Sequence, residues 1–286
     1  MELYDALVVG SGPAGLAAAI NLTIRKKRFL IFGNERLSAK VELSPRIDNY
    51  LGFPEITGPQ LIARFKDHLS QMGIEITPQQ VTAVYSMGEY FSVATATSEY
   101  RATTVILATG APPSALLPGE ERLLGRGVSY CATCDAPLFK GKVAAVLGWN
   151  EESAMEANFL SEIAKTVYYL PVKPHDAPLR EDVVVLKDSV REILGASRVE
   201  ALKTSGQVLE VDGVFILRDT MPPSSLAPGI TLENNCPLVD SDMQTSIPGL
   251  FAAGDLTGKP YQLMRATGQG QIAALAATAY LAKLSV

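Results

Sequence analysis

Short apolar runs that end at glycine recur along the chain. Leu7-Val8-Val9 leads into Gly10-Ser11-Gly12-Pro13-Ala14-Gly15, and Val105-Ile106-Leu107 leads into Ala108-Thr109-Gly110. Val143 to Leu147 leads into Gly148, and Leu250 to Ala253 leads into Gly254-Asp255. Runs of this length, bounded by turn residues, predict buried parallel strands, and the helical segments between them predict α/β layers. Phe29–Phe32 and Val167–Leu170 read as further strands. After Thr57-Gly58-Pro59, Leu61, Ile62, Phe65, Leu69 and Met72 recur at helical spacing, and Pro59 suits a first helical turn. The stretch from about Gly270 to Leu284, rich in Ala and Leu, predicts a helix packed on a sheet. Ala111-Pro112-Pro113 and Met221-Pro222-Pro223 read as linkers. Strand–glycine units at both ends, with another between them, predict two α/β domains, the first of them discontinuous.

A length of 286 residues fits one large or two modest domains. A formal net charge of −5 excludes the basic stripe expected of a nucleic-acid binder. Three cysteines do not make a secreted disulfide scaffold. The opening residues do not read as a signal peptide, and no apolar run approaches the roughly 18 residues that cross a bilayer. The expectation is a cytoplasmic protein with no membrane or nucleic-acid partner.

Gly10-x-Gly12-x-x-Gly15 directly after a strand has the form of a dinucleotide turn. Gly10 permits the tight turn, Gly12 lets backbone approach a pyrophosphate, and Gly15 lets helix pack on strand. The helix start through Pro13 and Ala14 offers free N–H groups and a positive dipole end. Glu35, just past the second strand, is a candidate ribose ligand, with a solvated loop charge as the alternative. Gly254-Asp255 sets a carboxylate at a strand end, a pattern that ordinary loops share.

Cys131-Ala-Thr-Cys134-Asp135 carries the clearest chemistry. Two thiols three residues apart at a helix start can close a small disulfide, and the helix dipole favours a thiolate. Asp135 beside them is a candidate proton donor and acceptor. The rival readings are half a zinc site and two core thiols. A zinc site needs more ligands, and Cys236, His68 and His175 are all distant in sequence. His68 and His175 read as structural or surface residues, and Cys236 as a turn thiol without a role.

These motifs occur in one order: GSGPAG at 10–15, ATGA at 108–111, CATCD at 131–135 and TSIPGLFAAGD at 245–255. In that order the chain resembles the low-molecular-weight thioredoxin reductases over nearly its full length. Ile47 to Phe53 and Gly125 to Tyr130 resemble further stretches of that family. The resemblance implies two Rossmann-like three-layer α/β domains. A discontinuous FAD-binding domain would span 1–112 and 238–286, and an inserted central redox domain would span 113–237. It implies a homodimer, with Cys134 facing the flavin, Cys131 attacking thioredoxin's disulfide and Asp135 as acid/base. Around FAD it places Gly10, Gly12, Pro13, Ala14, Gly15, Glu35, Asn49, Ala108, Thr109, Gly110, Gly254, Asp255, Tyr261 and Gln262. No metal is implied.

The family pattern fails at two places. In the central domain the second glycine turn reads Gly148-Trp149-Asn150-Glu151-Glu152-Ser153, so only its first glycine remains. Asn150 puts a Cβ where bare backbone should meet pyrophosphate, Trp149 adds bulk, and Glu151 and Glu152 repel phosphate. Lys173 alone stands where the family has a basic cluster for the 2′-phosphate. Lost charge-assisted contacts of about 1.5–3 kcal/mol each amount to a thousandfold or more in affinity, so conventional NADPH binding is not expected. Near the flavin, Tyr261-Gln262 replaces an Arg-Gln pair, which leaves Tyr261 either beside the isoalloxazine ring or packed at the dimer contact, and Leu37-Ser38-Ala39-Lys40-Val41 replaces a Gly-Gly-Gln stretch. An intact cysteine pair beside a ruined hydride-donor site resembles the ferredoxin-dependent flavin thioredoxin reductases. The partners implied are therefore ferredoxin, whose single electrons a flavin can take, and thioredoxin. Two alternatives stay open: a reductase that uses NAD(P)H, and a flavin-bearing redox sensor without turnover. Arg25-Lys26-Lys27-Arg28 is a candidate docking surface for acidic ferredoxin, with an exposed helix end as the rival reading.

Overall fold

In the computed structural model, which describes residues 2–113, 115–173, 175–218 and 220–284, three of the strand–glycine units lie inside two sheets and the fourth, Leu250–Ala252, pairs with one strand of the first. The chain divides into two units, Met1–Pro113 with Pro222–Val286, and Ser114–Met221.

The first unit is built on parallel strands in the order Ile76–Thr77, Phe29–Phe32, Leu3–Val9, Glu99–Leu107. The far edge of Glu99–Leu107 is shared. Leu250–Ala252 runs parallel to its end, and the hairpin Val81–Ser86/Phe91–Thr95 pairs antiparallel with its beginning. Val9, Phe32, Leu107 and Ala252 therefore end at one level. The next residues are stitched across: Gly10 N to Phe32 O (2.8 Å), Ala108 N to Val9 O (2.7 Å) and Ala253 N to Leu107 O (2.9 Å). In open α/β sheets, ligands bind outside such carboxyl ends.

Side chains alternate between two faces, as strand geometry requires. Ala6, Val8, Ile31, Ile106 and Phe251 pack with helices Pro13–Ile24, Gly58–Gln71 and Leu263–Leu284. Leu7, Val9, Phe32, Val105 and Leu107 pack on the other side with Val84 and Phe91 of the hairpin. Helix Gly58–Gln71 opens with a capping box: Gln60 N donates to Thr57 Oγ1 and Thr57 N to Gln60 Oε1. The last helix begins at Leu263 rather than near Gly270. Its glycine is a packing contact and not a start signal, because a Cβ on Gly270 would lie 2.0 Å from Ala14 O.

The second unit carries a five-stranded parallel sheet in the order Val183–Val185, Thr166–Pro171, Val143–Gly148, Gly213–Leu217, Val128–Ser129. An antiparallel sheet of Val190–Leu194, Ala201–Thr204 and Val208–Glu210 is added to it. The boundary expected at 237/238 is corrected to Met221/Pro222. Leu226, Ala227 and Ile230 are buried with Val81, Val84 and Phe91, so residues 222–237 belong to the first unit's core. Among the described residues no helix is long and apolar enough to cross a membrane.

Candidate cofactor and redox sites

The cradle in the first unit forms where the strand ends meet helix Pro13–Ile24. Gly10 has φ +117° and sits so close to the neighbouring strand end that a Cβ would lie 2.2 Å from Ala108 O. A Cβ on Gly15 would lie 1.8 Å from Gly10 O, whereas one on Gly12 would meet nothing within 4 Å. Gly10 and Gly15 are thus required by the fold itself, and Gly12 leaves its outer side open to a ligand. Gly12 caps the helix and Pro13 occupies its first turn, so the N–H groups of Ala14 and Gly15 point outward without helical partners. In the neighbouring Ala108-Thr109-Gly110 segment, Thr109 Oγ1 is buried with no hydrogen-bond partner among the described residues. An open cradle, free helix N–H groups and an orphaned hydroxyl fit a bound dinucleotide such as FAD.

Of the other expected cofactor residues, Asp255, Tyr261, Asn49 and Gln262 make contacts across distant segments. Lys40 Nζ donates to Asp255 Oδ2 at 2.6 Å and lies 4.9 Å from the centre of the Tyr261 ring. Asn49 Nδ2 donates to Gln262 Oε1 at 3.0 Å. Gly254 N donates to Gln269 Oε1, which also accepts from Thr257 Oγ1, both at 3.0 Å. Lys40 follows Ser38, whose hydroxyl caps the short helix Ala39–Glu42. Glu35 is exposed on the loop after Phe29–Phe32. The sequence reading did not identify Ser11, which ties that loop to the glycine turn by donating to Asn34 O and accepting from Asn34 N, each at 2.9 Å. It also missed Lys40 and Gln269 as members of the site. Arg25 to Arg28 form the turn after the first helix, where Arg28 pairs with Glu2.

In the second unit Cys131 and Cys134 are joined as a disulfide, with Cα atoms 5.3 Å apart. Cys131 caps the short helix Ala132–Asp135, and Cys134 N donates to Cys131 Sγ at 3.1 Å. Both cysteines and Asp135 are half-buried. Cys131 N donates to Ser129 Oγ (3.1 Å), and Thr133 N donates to Glu156 Oε2 (3.0 Å), so neighbouring side chains fix the loop on both sides of Cys131. Among the described residues no metal-binding cluster forms.

The degenerate turn, in the same unit, is closed by its own side chains. Asn150 Oδ1 accepts Ser153 N at 3.0 Å, and Ser153 Oγ bonds both Asn150 O and, at 2.7 Å, the Tyr169 hydroxyl. The Tyr169 hydroxyl in turn bonds His175 Nε2. Burial pushes the Tyr169 phenol above the ordinary tyrosine range, with the Ser153 hydrogen bond opposing. Trp149 lies under the Arg218 guanidinium, 4.7 Å from its ring centre. Glu151, Glu152 and Lys173 are exposed. His175 is therefore structural, and His68 lies exposed on its helix. Cys236 opens the short strand Cys236–Pro237, paired with Leu232–Glu233.

Known proteins resemble the chain over nearly its full length. The pyridine nucleotide-disulphide oxidoreductase family model matches residues 4–167 and 179–270. A thioredoxin reductase from Listeria innocua is 31% identical over 99% of this chain and 95% of its own length. Two crystal structures of a ferredoxin-flavin thioredoxin reductase from Clostridium acetobutylicum are similar throughout. One is 49% identical with a TM-score of 0.90, covering 99% of each chain. The other is 46% identical with a TM-score of 0.95, covering 100% of this chain and 99% of that one. The chain belongs to the pyridine nucleotide-disulphide oxidoreductase family and, within it, to the thioredoxin reductases.

Proposed function

We propose that this chain is an FAD-dependent thioredoxin reductase that draws its electrons from reduced ferredoxin rather than from a pyridine nucleotide. The observation that carries the reading is the contrast between its two glycine turns. One is open at Gly12, and the other is capped by Asn150 and packed with Trp149. The ferredoxin-flavin enzymes among its structural relatives support the choice of donor. A cytoplasmic homodimer belongs to the same reading, its dimeric state supported by the family resemblance.

Gly10, Gly12, Pro13, Ala14 and Gly15 would hold the pyrophosphate of FAD. Ala108, Thr109, Gly110, Gly254, Asp255, Asn49, Tyr261 and Gln262 would hold the remainder, with Glu35 toward the ribose. FAD bound there supplies a centre that takes up electrons singly and delivers a pair to a disulfide. When that pair arrives, the Cys131–Cys134 bond breaks and, with one proton taken up from water, the two sulfurs become thiol and thiolate. The Cys134 N–H aimed at Cys131 Sγ favours the charge on Cys131. The Cys131 thiolate attacks one sulfur of thioredoxin's disulfide, breaking that bond and releasing one thioredoxin sulfur as thiolate. Cys134, deprotonated with Asp135 as acceptor, then attacks Cys131 Sγ. The mixed disulfide breaks, the second thioredoxin sulfur leaves, and the Cys131–Cys134 bond re-forms. Asp135 returns its proton to a departing thiolate, and a second proton comes from water.

The test is turnover of thioredoxin disulfide by the holoenzyme with reduced ferredoxin or NADPH as the donor. Ferredoxin should support turnover, NADPH should not, and Cys131→Ser should remove turnover while flavin stays bound. Equal turnover with NADPH would overturn the donor, and full activity of Cys131→Ser would overturn the mechanism.

A further inference from the structure

Glu120 is fully buried and its carboxylate is saturated with donors. Arg218 Nη1 and Nη2 reach Oε1 and Oε2 at 2.6 and 2.8 Å, Tyr130 Oη donates to Oε1 at 2.9 Å, and Leu117 N donates to Oε2 at 2.8 Å. The Arg218 side chain is 9% exposed and lies over the Trp149 ring. Tyr130 directly precedes Cys131, and Ser129 Oγ clasps the Cys131 main chain by accepting its N–H (3.1 Å) and donating to its C=O (3.2 Å). An unbroken series of contacts thus runs from Trp149 through Arg218, Glu120 and Tyr130 to the redox pair, all within the second unit. A buried ion pair seldom adds net stability over an apolar replacement, so its worth here lies in fixing one geometry.

We propose that Glu120 and Arg218 are positioning residues for the redox pair. Through Tyr130 they hold the main chain at Cys131 in the geometry that closes the disulfide, and Trp149 braces them from the second glycine turn. The side chain that spoils the second glycine turn thereby serves the chemistry of the cysteines. This inference rests on reading Cys131–Cys134 as the working disulfide and holds for any electron donor. Loosening Cys131 raises the entropy lost on ring closure, so the equilibrium moves toward the dithiol.

Tyr130→Phe and Trp149→Leu test this without changing charge. The holoenzymes are equilibrated with mixtures of reduced and oxidised dithiothreitol, and the fraction of the Cys131–Cys134 pair reduced is counted by alkylation and mass spectrometry. Each variant should shift the equilibrium toward dithiol by roughly 3–10-fold, a fraction of the cost of fixing one residue's backbone. The double variant should shift it by less than the product, because both act through one pair. Val183→Ala, a core truncation on the sheet edge opposite Val128–Ser129, should leave it unchanged. Tyr130→Phe removes one hydroxyl and keeps the test open if Trp149→Leu fails to fold. Single variants within twofold of wild type, a multiplicative double variant or an equal shift in Val183→Ala would each overturn the inference alone. A wild-type pair that dithiothreitol leaves oxidised would overturn the proposed function and this inference with it.

Discussion

The carboxamide oxygen of Asn150 accepts the backbone N–H of Ser153 at 3.0 Å. Asn150 holds the same place after Gly148 that Gly12 holds after Gly10. In the first turn that place is open on its outer side. In the second, a side chain satisfies a helix-start donor that a pyrophosphate would otherwise use. The second turn is thus a finished helix cap.

Asn150→Ala should lower stability by about 1 kcal/mol, the ordinary worth of such a cap, and Asn150→Gly by only a few tenths. Urea denaturation measures both. Trp149 is the chain's single tryptophan, so its fluorescence reports on this turn. Neither variant should give saturable quenching with NADPH at micromolar levels, because the exposed Glu151 and Glu152 and the stacked Trp149 remain.

Gly12 and Gly15 should respond to alanine in opposite ways. Gly15→Ala drives a Cβ into Gly10 O and should cost about 1–3 kcal/mol in the flavin-free protein, as overpacking does. Gly12→Ala meets no protein atom and should leave flavin-free melting nearly unchanged. Its FAD affinity should fall about tenfold or more, the worth of one charge-assisted hydrogen bond. Calorimetry on flavin-free and flavin-loaded protein separates the two effects.

Much of this was legible in the sequence because it is local. Strand ends followed by glycine, the Thr57-Gly58-Pro59 helix start and the three-residue spacing of Cys131 and Cys134 each lie within a few positions. Contacts between distant residues left no such signal. Lys40 and Asp255 are 215 positions apart, and Glu120 and Arg218 are 98 apart. Nothing in a lone lysine or an isolated arginine marks its partner. The domain crossing at Met221/Pro222 was marked by prolines, yet assigning residues 222–237 required seeing Leu226 and Ile230 buried against the hairpin. The last helix starts at Leu263, ahead of the Ala- and Leu-rich stretch from Gly270, and Gly270 packs inside it against Ala14 O.

Alkaline pH should destabilise the protein. Burial raises the Cys236 thiol and the phenols of Tyr50 and Tyr169, the first opposed by Arg265 and the phenols by side-chain hydrogen bonds. Each group holds its proton more tightly folded than unfolded. Their contribution is therefore complete below the ordinary thiol and tyrosine values, about 8.5 and 10, and is lost as pH rises through the folded values. Chemical denaturation between pH 7 and 11 should show stability falling above the thiol range. With the disulfide intact, Cys236 should react with iodoacetamide more slowly at pH 8 than in the unfolded chain. Stability unchanged to pH 11, or equal alkylation rates, would contradict the burial assigned to these groups.

The most direct measurement is the absorbance of enzyme-bound flavin under anaerobic conditions as reduced ferredoxin, NADPH and NADH are added separately. Reduced ferredoxin should bleach the flavin completely, and both nucleotides should leave it oxidised at micromolar concentrations. Rapid and complete bleaching by NADPH would contradict the account.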